Sequence, residues 1–167
     1  MKTPLVQLPV STRDGQFIAH YSEKGLAELD FPSREALVAP KRSEGGRIPA
    51  PIRRWHHATA AALKAVLAGR AAKTLPPLDW SGKTELQKSV WRALRKIRRG
   101  QTKSYGEIAR AIGKPKAVRA VGGACGANPI PVLVPCHRVL AANGKIGGFS
   151  GGLNRKRELL AREGVSL

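Results

Sequence analysis

The stretch SYGEIARAIGKPKAVRAVGGACGANP, residues 104–129, organises the reading of this chain. Ser104 and Glu107 stand three apart, the spacing of a capping box, so a helix starts at Tyr105. It runs through Ile108 and Ile112 and stops at Gly113. Lys114-Pro115-Lys116 makes a short connection, and a further helix is predicted from about Ala117 to Ala127, before Asn128-Pro129. Two short helices across a brief Gly/Pro turn predict a helix-turn-helix. The second helix offers no Asn, Gln or Lys to read base edges. Its small residues permit close backbone approach, and one long cation, Arg119, stands among them. That surface suits docking on a narrow groove without sequence preference. The same small residues also suit tight helix packing.

Charge points the same way. The chain of 167 residues has 30 Lys+Arg against 11 Asp+Glu, a formal charge of +19. From Gly82 onward there are 18 basic and 4 acidic residues, so the second half carries most of the positive field. Such a field attracts polyanions through counterion release. Hydrophobic residues make up 42%, which argues against a disordered chain. No apolar run reaches membrane-spanning length, and Met1 to Val10 lacks the pattern of a secretory signal. The expectation is a cytoplasmic protein. Two cysteines, Cys125 and Cys136, cannot make a zinc site by themselves, and a disulfide between them is not expected in that compartment.

Upstream, residues 1–80 read as a small α/β scaffold with a linker, and 81–167 as a mainly α unit. Gln16 to Tyr21 and Leu26 to Phe31 predict two strands around the turn Ser22-Glu23-Lys24-Gly25. Residues 39–54 read as a loop. Trp55, Ala58, Ala62, Leu63, Val66 and Leu67 predict a helix from about Trp55 to Gly69. Leu75 to Asp79 reads as an extended linker, and a helix is predicted from about Thr84 to Ile97 on the stripe Leu86, Val90, Trp91, Leu94 and Ile97.

Downstream, an apolar run leads through Pro135 to Cys136-His137-Arg138-Val139-Leu140. Thiolate is the nucleophilic form of cysteine, and a neighbouring base or cation promotes it. On a regular strand Cys136 and His137 would face opposite ways, so their cooperation needs an irregular backbone or a bridging water. A buried structural cysteine is the alternative reading.

Pro135-Cys136-His137-Arg138, flanked by Val134 and Val139, resembles the acceptor-cysteine motif of the O6-alkylguanine-DNA alkyltransferases, or methylated-DNA–protein-cysteine methyltransferases. The resemblance also takes in Val90-Trp91, Ser104 to Glu107, Arg119 to Gly122, Asn128-Pro129, Gly147 to Gly152 and Leu159 to Gly164. In the first half only Asp14-Gly15 and Gly25-Leu26 through Phe31-Pro32 look familiar. The resemblance implies a ribonuclease H-like α/β N-terminal domain and a winged-helix-like C-terminal domain carrying the helix-turn-helix. It implies a single-turnover, self-inactivating S-methyltransferase that repairs double-stranded DNA.

The roles it implies fall on these positions. Cys136 is nucleophile and permanent acceptor. His137 is base through a water, and Glu163 orients it, giving a Cys–water–His–Glu relay. Asn128 braces the active-site turn. The substrate oxygen lies inside the duplex, so the nucleotide is flipped out through the minor groove. Arg119 fills the gap it leaves, with Ala117 and Ala120 against the groove. Tyr105 donates to guanine N3, backbone groups near Cys136 and Val139 read the exocyclic amine, and Ser150 donates toward O6. No metal and no organic cofactor are implied, and the protein is expected to be a monomer with possible cooperative assembly on DNA.

Some positions depart from the family pattern: Arg98 follows Ile97 where proline is usual, Leu86 stands for phenylalanine and Phe149 for tyrosine. Two other readings stand beside this one. A lesion-binding protein that does not transfer would flip the base and leave Cys136 unused. A basic helix-turn-helix regulator would explain the charge and leave the Cys-His motif without a role.

Overall fold

The computed structural model describes residues 6–33 and 46–167. The first strands form an antiparallel meander: β1 (Val6–Thr12), β2 (Gly15–Ser22) and β3 (Gly25–Asp30). Thr12 pairs with Gly15 and Ser22 with Gly25 at the two tight turns. Phe17, Ala19 and Tyr21 point to one face and are fully buried, as a period of two requires.

The sequence reading predicted two strands here, and the structure has three. β1 was missed because Pro9 interrupts it; proline is tolerated there on a sheet edge.

Helix α1 (Ala50–Leu67) covers the buried face with Ile52, Ala62, Leu63, Val66 and Leu67. It starts five residues before the predicted Trp55, because Pro51 sits in its first turn, where a missing N–H costs nothing. Residues 50–54 are therefore helix and not loop, while 39–45 of the predicted loop lie outside the described residues, as do the first five of Met1 to Val10. His56 Nε2 donates to Pro9 O at 3.1 Å, and its Nδ1 accepts from Tyr21 Oη at 3.0 Å, which ties α1 to the sheet.

The segment read as a linker is stitched to the sheet. Leu26 N donates to Pro77 O and Asp79 N to Leu26 O, both at 2.8 Å. Trp80 then packs on Trp91, ring centroids 5.5 Å apart.

Helix α2 (Glu85–Leu94) begins at a full capping box between Thr84 and Gln87 and ends three residues earlier than predicted. Strand β4 (Lys103–Ser104) leads into α3 (Tyr105–Ala111), where Ser104 accepts from Glu107 N and the Glu107 side chain accepts from Ser104 N. Helix α4 (Val118–Gly126) follows, then β5 (Val139–Leu140), parallel to β4, and α5 (Leu153–Arg162). Trp91 Nε1 donates to Ala124 O at 2.9 Å, locking α2 to α4.

The two halves of the chain share one core. Arg162 Nη1 and Nη2 grip Asp14 at 2.6 and 3.0 Å, and Leu29 N donates to Pro129 O at 2.9 Å. Among the described residues no helix is long and apolar enough to cross a membrane.

Candidate active site

Residues 128–140 form an irregular, fully packed segment. Asn128 Nδ2 donates to Val134 O at 2.8 Å, and Asn128 Oδ1 accepts from Ile130 N at 3.0 Å. One buried amide thus closes the turn from both sides. Val132, a β-branched residue, sits at φ 72° and is 1% exposed. That left-handed conformation costs about 1–2 kcal/mol, and buried packing holds it in place. Beyond Pro135 the chain makes a 3₁₀ turn over Cys136–Arg138. The backbone here is therefore not a regular strand, on which neighbouring side chains would face opposite ways.

Cys136 is buried and lines a cavity of about 180 Å³ with Tyr105, Gly122, Cys125, Gly126, Gly148, Phe149 and Ser150. The cavity therefore lies between α4 and the glycine-rich segment that precedes α5. Cys125, read as a packing residue on α4, is buried yet also lines it.

His137 is fully buried, and its Nε2 lies 3.1 Å from Glu163 Oε1. Burial would raise the Glu163 carboxyl, but hydrogen bonds from His137 and Arg138, with the Arg138 charge, outweigh it and hold the group down to about 2. Glu163 is therefore an ionised acceptor, and the proton on neutral His137 sits on Nε2. Its Nδ1 carries a lone pair and is buried with no hydrogen-bond partner among the described residues. Burial pushes the His137 pKa down despite Glu163, so the ring is neutral at pH 7 and able to take a proton.

Burial pushes the Cys136 pKa up, against the downward pull of the Asn128 hydrogen bond and of Lys156. At neutral pH the resting group is a thiol. Cys125 is pushed up to about 12, by burial and then by Cys136.

Two cations that the sequence reading gave no role are buried here. Arg138 donates to Glu163 from Nε at 2.9 Å and from Nη2 at 2.7 Å, and to Ile97 O from Nη1 at 2.6 Å. Lys156 donates to Val139 O at 2.6 Å and Gly148 O at 3.0 Å, tying α5 to both the active-site strand and the cavity loop. A signal for Lys156 exists in the sequence. It lies three and four residues before Leu159 and Leu160, on their buried face, although its neighbours Arg155 and Arg157 make it look solvated.

The other expected site residues divide into three groups. Tyr105 and Ser150 reach the cavity. Tyr105 is half-buried, and its pKa is raised by burial, so its hydroxyl keeps its proton at neutral pH. Val139 is buried in β5, paired with Lys103 of β4, and its carbonyl accepts from Lys156 Nζ. Arg119 and Ala120 are exposed on α4 and Ala117 is half-buried at its start, away from the buried relay residues. Among the described residues, one cluster has metal-ligand character, His20, Glu28 and Asp30 on the N-terminal sheet. None of the three lines the cavity.

With this geometry in view, comparisons with known proteins give a consistent picture. Residues 85–165 match the family model described as the 6-O-methylguanine DNA methyltransferase DNA-binding domain. A methylated-DNA–protein-cysteine methyltransferase of Mycolicibacterium paratuberculosis is 54% identical over 101 residues, 60% of this chain and 61% of the relative. The matched part thus spans about three-fifths of that relative's length. A protein of the same description from Methanosarcina barkeri is 41% identical over 152 residues, 89% of this chain and 90% of its own. The crystal structure of Mycobacterium tuberculosis OGT in complex with DNA superposes with a TM-score of 0.72 at 37% identity, covering 96% of this chain and 92% of that one. Small sheets and five α-helices among the described residues, and likeness along nearly the whole length, place this chain in the methylated-DNA–protein-cysteine methyltransferase family.

Proposed function

We propose that this protein repairs alkylated DNA by moving the alkyl group from guanine O6 to Sγ of Cys136, once per molecule. The observation that supports the reading is a cavity-lining Cys136 followed in the chain by a neutral, buried His137 whose Nε2–H is committed to Glu163. That commitment leaves Nδ1 as the base.

In the reaction the Cys136 proton passes through a water to His137, and the imidazolium is stabilised by the Glu163 carboxylate. The S–C bond forms as the C–O6 bond breaks, and the electron pair stays with the base. A hydrogen bond from the Tyr105 hydroxyl to guanine N3 and one from the Ser150 region to O6 stabilise the leaving group. The product is a thioether, which is a poor leaving group at carbon, so the protein does not recycle. Asn128 keeps the turn closed, and backbone groups at Val139 read the exocyclic amine.

Docking is assigned to residues 81–167, with α3 and α4 as a winged-helix-like helix-turn-helix in the minor groove. Exposed Arg119 enters the stack in place of the flipped base, and Ala117 and Ala120 allow the close approach. Residues 1–80 are assigned as a ribonuclease H-like scaffold. The protein acts as a cytoplasmic monomer on double-stranded DNA without sequence preference, with neighbouring copies free to assemble along the duplex.

The reading to set against this one is lesion binding without transfer, in which the base is flipped and Cys136 is left unused. Titrating the protein against a duplex carrying one O6-methylguanine separates the two. Repair that plateaus at one lesion per protein molecule supports transfer. Tight binding with the lesion left intact selects the alternative.

A further inference from the structure

The cavity wall opposite α4 is backed by a residue from the other half of the chain. Phe31 follows β3, and its ring meets Phe149 edge-on with centroids 5.7 Å apart. Phe149 lines the cavity, and its ring lies 6.4 Å from His137. Behind Phe31 stands fully buried Phe17, also at 5.7 Å, so the chain of rings ends in the packed sheet core. The Arg155 guanidinium of α5 sits 4.6 Å above the Phe31 ring, which holds it from a further side.

Gly151 shows how tightly this corner is filled. A Cβ there would stand 2.7 Å from Phe31 Cζ and 2.9 Å from Phe149 Cε1. Glycine at this point is explained by the space that two aromatic rings occupy, not by an unusual backbone angle.

We propose that Phe31 is a positioning residue that sets the largest alkyl group the site accepts, by pinning Phe149 against the cavity. The inference rests on the alkyl-transfer reading. Phe31 does not line the cavity itself; it denies Phe149 room to withdraw. Removing its ring opens a void behind Phe149, into which that side chain can retreat. The space gained lies on the Cys136 side, where the alkyl group must fit. A small alkyl group gains little from it, and a bulky one gains most.

The test compares single-turnover transfer from duplexes carrying O6-methylguanine or O6-benzylguanine, for the wild type, Phe31→Ala and Phe31→Leu. The expected result is a benzyl-to-methyl rate ratio raised about tenfold in Phe31→Ala and less in Phe31→Leu, with methyl transfer retained. Phe31→Leu keeps an apolar side chain in the gap and preserves the measurement if the alanine variant does not fold. A merely structural role would lower both rates together and leave the ratio unchanged, and that result would overturn the proposal. Failure of the wild type on both duplexes would instead reject the transfer reading itself, and this inference with it.

Discussion

Arg138 grips the carboxylate of Glu163 with two nitrogens, Nε and Nη2, at 2.9 and 2.7 Å, while the adjacent His137 donates from Nε2 to the same Oε1 that Nη2 holds, at 3.1 Å. The carboxylate is thereby fixed in position and in charge before any substrate arrives. Removing the guanidinium leaves a buried, unpaired anion. Arg138→Ala is expected to lose about 3 kcal/mol of stability in urea unfolding, well beyond a surface ion pair. A loss below 1 kcal/mol would mean that the carboxylate finds other partners.

The same pair sets the response to acid. Glu163 has a folded pKa of about 2, below its ordinary 4.5, so its contribution is complete above pH 4.5 and is lost as pH falls toward 2. His137 is held below its ordinary 6.5, so folding also favours its neutral form, fully above pH 6.5 and less as pH drops. Arg138, Lys156 and Cys136 are the other ionisable groups around this pair. The thermal midpoint of the wild type should fall in acid in two stages. In Glu163→Gln the stage toward pH 2 should shrink, as seen by circular dichroism against pH.

A buried, protonated thiol reacts slowly with reagents that need thiolate in bulk solution. Cys136 should alkylate with iodoacetamide at pH 7 at least about tenfold more slowly than an exposed cysteine peptide. Cys125, also buried and pushed up to about 12, should react slowly as well. Fast labelling of Cys136 in the folded protein would show that its burial is relieved in solution.

Arg119 is exposed on α4, whereas Cys136 is buried and lines the cavity. Arg119→Ala should slow repair in duplex DNA by about tenfold or more yet leave reaction with free O6-benzylguanine within about twofold, because the free base needs no extrusion. Equal losses on both substrates would reject the finger role.

Asp14 and Arg162 lie at opposite ends of the chain and form a bidentate, half-buried pair, with Arg162 Nη1 also donating to Leu67 O at 3.0 Å. Asp14→Asn should cost about 1 kcal/mol, and the loss should add to that of Arg138→Ala within about 0.5 kcal/mol if the two pairs are independent.

The local chemistry of the second half was legible because capping, charge and the Pro-Cys-His-Arg motif are all written in neighbouring residues. Ser104 and Glu107 make the capping box that their spacing announced. The remainder depended on contacts between distant residues. β1 hid behind Pro9, whose place on a sheet edge no local pattern reveals. The linker's pairing with Leu26 spans some fifty residues, and Phe31 meets Phe149 across most of the chain. Lys156 looked like one more cation in a basic run. Only helical phase relative to Leu159 and Leu160 marks it as buried. The upward push on the Cys136 pKa is not legible either, because sequence shows the nearby charges but not the burial.

The most direct measurement is a peptide mass map of the protein after incubation with duplex DNA containing O6-methylguanine. The expected product carries one methyl group on the peptide that includes Cys136, in an amount equal to the lesions lost, and none in Cys136→Ala. Repaired DNA with an unmodified Cys136, or the methyl group found on Cys125, would contradict the assignment.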